Sequence, residues 1–240
     1  MGDVFTPVAV TETPVRIQRL DEETLICDFG LDAFGKLALS YTADVPCTVQ
    51  IAFGEVLLPE GRLNRTPGGA RIAHVTTIEL PPGNGCVDVP PTPWKPRYTV
   101  HPETDPLITP FRYAEINGTA RRLEVSRTTY TAPFNDDASE FTCENETLKR
   151  VWEFCKYSIK ATTVFGVYVD GNRERLPYEG DAYVNQLCHF ALDCDYSVAK
   201  RTIEFLLVNP TWPTEWRLIM VPIVYDYVMH SGDLDSLARW

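Results

Sequence analysis

No stretch of this 240-residue chain approaches the ~20 consecutive apolar residues that a helix needs to cross a bilayer. The opening MGDVFTPVAV has neither the basic start nor the apolar core of a signal peptide, so no membrane association and a cytoplasmic location are expected. An excess of positive charge is also missing. Lys and Arg number 22 against 33 Asp and Glu, a formal net charge of −11. That balance argues against a phosphate-tracking nucleic-acid surface and leaves neutral or weakly charged ligands such as sugars. The seven cysteines are odd in number and never fall into C-x-x-C spacing, and the four histidines are scattered. Neither set has zinc-ligand spacing, so no metal and no cofactor are expected, and the cysteines read as small buried hydrophobes in a reducing compartment. Repeats and low-complexity segments are absent as well.

What is present changes character near residue 133. Before it, short runs rich in β-branched and aromatic residues alternate with turn signals: TPVRIQRL, TLICDFG, GKLALSYTA, CTVQIAFGEVL, HVTTIEL, RYAEING and RLEVSRTTYT. This spacing predicts a β-sandwich, jelly-roll-like, over residues 1–133. The Pro-rich stretch from Gly83 to Pro110 predicts a long irregular crossover. FGEVLLPEGRLNR and PGGARIAHVTT read as strand, ordered loop and strand.

After PFNDDASEF the pattern is helical. Asn145 is the expected N-cap of ETLKRVWEFCKYSIKATT, in which Leu148, Val151, Trp152, Cys155 and Ile159 recur on one face. A second helix is expected from near Asp181, and a third, after Asp195, ends at Asn209-Pro210. A fourth, EWRLIMVPIVYDYVMH, carries Pro222 as a candidate kink, and SGDLDSLARW opens a fifth.

Two segments could carry chemistry. VDGNRERLPYEGDAY, residues 169–183, packs six charged residues between apolar helical stretches. Pro177 biases Leu176 toward an extended conformation, so Glu174 to Gly180 reads as a loop with Asp181 at the mouth of the next helix. Several carboxylates turned toward one cavity suit glycoside cleavage, where one raised-pKa acid protonates the leaving oxygen and others hold sugar hydroxyls. A solvated, salt-bridged loop fits the same residues, and composition leaves both readings open. In NPTWPTEWR, Trp212, Glu215 and Trp216 combine flat aromatic faces with a carboxylate. That suits a sugar-stacking surface or, equally, core anchors at a loop corner.

ERLPYEGD, Glu174 to Asp181, resembles the E-R-L-G-W-x-G-D core of the bacterial α-L-rhamnosidases, family 78 of the glycoside hydrolases. DFGLDAFGKLALS, FGEVLLPEGRLNR and FRYAEING resemble the family's accessory sandwich. DDASEFTCENETLKRVWEFCKYSIKAT resembles its linker and first barrel helix, and TWPTEW is similar to a segment in one branch. The resemblance implies an inverting glycosidase with Glu174 as general acid. It implies Asp170 and Asp181 as carboxylates binding the rhamnose hydroxyls, Tyr178 as an aromatic wall in place of the family's Trp, and Arg175 as the Arg beside the acid. The segment departs from the family by lacking the Cys-Pro pair, by being two residues shorter between Asp170 and Glu174, and by having Pro177 in place of Gly.

The expectations are a multidomain chain, all-β then all-α. A sandwich over 1–133 is followed, over 134–240, by the first helices of an incomplete (α/α)6 barrel. The chain reads as an N-terminal fragment or truncated product, with the family's general base lying further downstream than Trp240. A carbohydrate partner is expected, and self-association through the open barrel. A non-catalytic carbohydrate-binding or interaction fragment, and a related glycosidase for another deoxy or uronic-acid-containing glycan, stand as alternatives.

Overall fold

The computed structural model describes residues 5–91, 108–172 and 175–240. The chain forms two compact units. One is Ala9–Tyr130; the other is Thr131–Trp240 with the chain up to Val8.

The first unit is a single antiparallel sheet folded on itself. Its strands are β1 (Val8–Glu12), β2 (Arg16–Arg19), β3 (Thr24–Ala43), β4 (Cys47–Gly54), β5 (Ala73–Leu80), β6 (Gly83–Asp88), β7 (Thr109–Asn117) and β8 (Arg121–Thr131). The order is β1-β8-β3-β7-β4-β5, with β2 and β6 also pairing to β3. TLICDFG and GKLALSYTA, which read as two strands, are the two halves of β3. The first half pairs with β2 and β7, the second with β8 and β6. The register shifts between Asp28 and Ala33. There the Asp28 carboxylate takes a bidentate pair from Arg112 (2.8 and 2.9 Å) and the Gly30 N–H (2.7 Å). Gly30 sits at φ +83, which a side chain would strain. One long strand thereby serves both layers of a sandwich. Leu25, Cys27 and Phe29 of its first half and Leu37, Leu39 and Tyr41 of its second enter one core with Ile51, Phe111 and Ile116.

Part of the expected Gly83–Pro110 crossover is regular structure. Residues 83–88 form β6, because Gly83 to Asp88 extend the backbone alongside Ala38–Ala43 of β3. Thr109 and Pro110 already belong to β7.

The second unit holds α1 (Glu146–Ala161), α2 (Glu179–Phe190), α3 (Ser197–Val208), a 3-10 helix (Thr214–Ile219) running into α4 (Met220–Ser231), and α5 (Leu234–Arg239). Asn145 caps α1, its side chain accepting from the N–H groups of Thr147 and Leu148. Ala182 of α2, Ala199 and Ile203 of α3, and Ile223 and Tyr227 of α4 share a core with Tyr168. The Asp233 carboxylate ties three helices, accepting from Lys200 (2.9 Å), Tyr227 (2.9 Å) and the Ser236 hydroxyl (2.7 Å). The Lys200 and Ser236 bonds hold it below the usual carboxylate range.

Two expectations are corrected. Pro222 does not kink a long helix. It lies in the first turn of α4, where its missing N–H would have had no intrahelical partner, and the 3-10 segment takes up the preceding residues. The cysteines are not small buried hydrophobes as a set: Cys27 is buried, Cys47 and Cys143 are half-buried, and Cys86, Cys155, Cys188 and Cys194 are exposed, Cys155 on an apolar face of α1 where Leu148 and Val151 are exposed too and Ile159 is buried.

Candidate active site

The candidate site is held by a buried, non-helical run after α1. Thr163 to Val169 are all buried. Their backbone is fixed by side chains as well as by neighbours: the Tyr168 N–H donates to the Thr202 hydroxyl (3.0 Å), Arg201 Nε donates to Gly166 O (2.9 Å), and the Val169 N–H donates to Thr162 O (3.1 Å). Behind the run, the Tyr168 hydroxyl meets His189 Nδ1 at 2.7 Å, and the His189 ring stacks on Phe134. Burial pushes the tyrosine up and the histidine down, so both are neutral near pH 7.

The chain emerges at Asp170, which is exposed. Asp170 and Leu176 are tied reciprocally. The Asp170 N–H donates to Leu176 O (3.1 Å), and the Leu176 N–H donates to the Asp170 carboxylate (3.3 Å). Arg175 is nearly fully buried, adopts φ +54 and bonds Gly171 O through its N–H (3.1 Å). A non-glycine residue there stores backbone strain of the kind concentrated at functional sites. Its guanidinium donates twice to buried Asn172 Oδ1, at 3.2 and 3.0 Å. Arg173 and Glu174, the expected acid, lie outside the described residues.

Pro177 and Tyr178 lead into α2, whose first turn holds Glu179 and Asp181. Their charges suit the helix N-terminus. Asp181 faces solvent, whereas Glu179 is fully buried. Glu179 accepts from the Thr211 N–H (3.0 Å) and from the Thr211 hydroxyl, tying the TWPTEW loop to the start of α2. Trp216 of that loop packs edge-on against Tyr178, ring centroids 6.3 Å apart. The same indole lies over Gly180, where an added Cβ would sit 3.4 Å from it. Tyr178 and Trp216, both half-buried, therefore form one corner. Trp212 (81% exposed) and Glu215 project from the loop into solvent and take no part in that packing.

The fold thus brings the two candidate segments together through Glu179 and Thr211, neither of which stood out in the sequence. Glu179 sits in the charged run, but charge alone signals exposure, and nothing local marks it as buried. Asn172 was missed for the same reason: a polar residue beside Gly171 reads as a turn. Among the described residues no group of three or more His, Cys, Asp or Glu side chains is placed to hold a metal ion.

Comparison with known proteins bears on this geometry. Residues 18–132 match the bacterial α-L-rhamnosidase concanavalin-like domain. Residues 136–239 match the bacterial α-L-rhamnosidase six-hairpin glycosidase domain. The chain belongs to the bacterial α-L-rhamnosidase family. The sandwich match comes first along the chain and the α-helical match after it. Among solved structures, the rhamnosidase from Klebsiella oxytoca with rhamnose bound shares the fold at TM-score 0.66 and 17% identity, covering 97% of this chain and 54% of that one. The family 78 rhamnosidase of Bacillus sp. GL1 gives 0.66 and 17%, covering 93% of this chain and 24% of that one. The Streptomyces avermitilis α-L-rhamnosidase complexed with L-rhamnose gives 0.61 and 18%, covering 84% and 18%. This chain therefore spans about half of the first and a quarter or less of the other two. No protein with a curated description matched the sequence. Tyr178, Gly180 and Trp216, which form the corner described above, all lie within the residues matched by the six-hairpin glycosidase domain.

Proposed function

We propose that this chain carries the acid-bearing part of an inverting α-L-rhamnosidase that cleaves terminal α-L-rhamnosides. The observation that supports this reading is the meeting of the ERLPYEGD and TWPTEW segments across the Glu179–Thr211 bonds, inside a domain of the family. In this reaction Glu174 is the protonated carboxyl that gives its proton to the glycosidic oxygen as the bond to the anomeric carbon breaks. A second carboxylate, from later in the family's sequence, takes a proton from the water that attacks the opposite face. The two carboxyls of an inverting pair stand roughly 6.5–9.5 Å apart, leaving room for that water. Asp170 and Asp181 accept from sugar hydroxyls, Arg175 orients the acid-bearing turn, and Tyr178, Trp212, Glu215 and Trp216 supply walls and hydroxyl contacts.

The test is Glu174→Gln in a protein joining this chain to a family-length catalytic domain, assayed on an aryl α-L-rhamnoside. A general acid contributes about 10²–10⁴-fold, so a loss of at least ~100-fold is expected. Undiminished turnover overturns the assignment. Residues 1–240 alone are expected to give no turnover.

The domain division at residue 133, self-association of the 240-residue chain and a cytoplasmic place of action belong to the same proposal. The division is supported by the two family domains, matched on either side of that residue. Self-association is supported by exposed apolar side chains on α1, α2 and α4. The cytoplasm is supported by seven free cysteines. No described helix is long and apolar enough to cross a membrane.

A further inference from the structure

The connection from β4 to β5, residues 55–72, exceeds the ~12–15 residues beyond which loops without regular structure are uncommon unless functional. It is ordered. Leu57 bridges Leu63, the Leu58 N–H donates to Arg62 O (2.8 Å), the Asn64 N–H donates to Val56 O (2.9 Å), and Gly61 turns the chain at φ +88. The loop folds over the face of the sheet opposite the core. Alternation along β4 and β7 sends Ile51 and Ile116 inward and Gln50, Glu115 and Asn117 to that outer face, with Gln50 and Asn117 directly opposed.

Glu115 is the pivot. It is buried, and it accepts from Arg62 (3.2 Å), Arg65 (3.3 Å) and the Leu63 N–H (2.8 Å). Arg62 also reaches Asp21 at 3.0 Å. Two guanidiniums and two carboxylates leave the cluster with no net charge. Between loop and sheet lies a cleft of about 570 Å³, within the ~300–1,000 Å³ typical of small-ligand sites.

The lining offers hydrogen-bonding groups that the protein itself does not use. Among the described residues the Gln50 side-chain amide makes no hydrogen bond. Asn64 engages its oxygen, with the Thr66 N–H, but not its nitrogen, and Asn117 engages its nitrogen, with Thr24, but not its oxygen. Arg65, 41% exposed, has one nitrogen on Glu115 and further donors uncommitted. Uncommitted donors and acceptors side by side match a hydroxyl, which both donates and accepts. The cancelled charge favours a neutral molecule.

We propose that this cleft binds a neutral carbohydrate, one pyranose or the end of a short glycan, as a site separate from the Glu174 segment. The buried Glu115 presets Arg62 and Arg65, so the loop needs no ordering when the sugar arrives. The inference does not depend on Glu174 being the acid.

The test is residue-resolved NMR on the 240-residue chain, titrated with L-rhamnose, D-glucose and D-galactose at millimolar concentration. At least one sugar is expected to produce saturable shifts at the amides of Leu63, Asn64, Arg65 and Asn117. Gln50→Ala and Asn64→Ala should each weaken them about fivefold to tenfold, the loss of one hydrogen bond. Two variants are used so that poor folding of one leaves the other to decide. Glu174→Gln should leave these shifts unchanged. Shifts confined to the Asp170–Asp181 region, or none at the cleft with any sugar, overturn the cleft while sparing the Glu174 reading. Tighter binding of D-glucuronate than of every neutral sugar overturns the neutral-ligand assignment.

Discussion

Glu179 shows how one buried side chain can tie together two segments distant in sequence. Removing it takes from the half-buried Thr211 N–H and hydroxyl their charged acceptor, which costs about 1–3 kcal/mol. Glu179→Ala is expected to lower unfolding stability by that amount, while Glu179→Gln, which keeps one acceptor oxygen, should cost less. Equal losses in denaturant titrations would show that the acceptor is irrelevant. In the sandwich, burial and then the neighbouring Asp32 carboxylate push Glu55 up to about 7. A carboxyl so raised keeps a proton that the unfolded chain has lost. Its stabilising contribution is full below pH 4.5 and disappears as pH rises to about 7. Melting of the first unit should therefore weaken across that window, and Glu55→Gln should flatten the slope; an unchanged slope refutes the link. His189 acts oppositely. Its lowered pKa stabilises the second unit above pH 6.5, and that contribution is lost as pH falls through the folded value. The sequence marked Glu174, Asp170, Arg175, Tyr178, Asp181, Trp212, Glu215 and Trp216 as candidates. It hid Glu179, because burial of a carboxylate is decided by a loop 32 residues away.

At the level of elements, caps and breakers were legible because they act locally. Asn145 starts α1, Asn209 ends α3 and Asp233 starts α5 through contacts within a turn or two. The two halves of β3 were not legible as one strand, since their union depends on Arg112, far away in sequence, clamping Asp28. The helix stripes show the same division. Val221, Tyr225 and Met229 recur every four residues along α4, and all three are exposed. Such a stripe on a surface helix is expected to find an apolar partner. The 240-residue chain should therefore sediment as a larger species with rising concentration, and Tyr225→Lys with Met229→Lys should return it to monomer. A wild-type monomer at all concentrations contradicts this.

At the scale of the molecule, two family domains follow one another along the chain, and the chain spans about half or less of the solved rhamnosidases it resembles. The sandwich contains its own core and its own cleft. The helical unit builds a core from α2, α3 and α4, while leaving apolar side chains of α1 and α4 in water. The change from strand to helix near residue 133 was legible because hydrophobic period switches from two to about three and a half there. No such signal announced the cleft over β4 and β7, because it joins Gln50, Arg65 and Asn117 across three separate segments.

The sequence by itself determined the order of an all-β part before an all-α part, the helix caps and the family, because periodicity, capping and the ERLPYEGD and TWPTEW runs are written in neighbouring residues. Tertiary structure alone decided that Glu179 is buried under Thr211, that Trp216 leans on Tyr178 and Gly180, that β3 runs unbroken through Asp28, and that Glu115 sits beneath a loop holding two arginines. Each of these joins residues distant in sequence. Their cost or gain depends on removing charged and polar groups from water together, which no local pattern records.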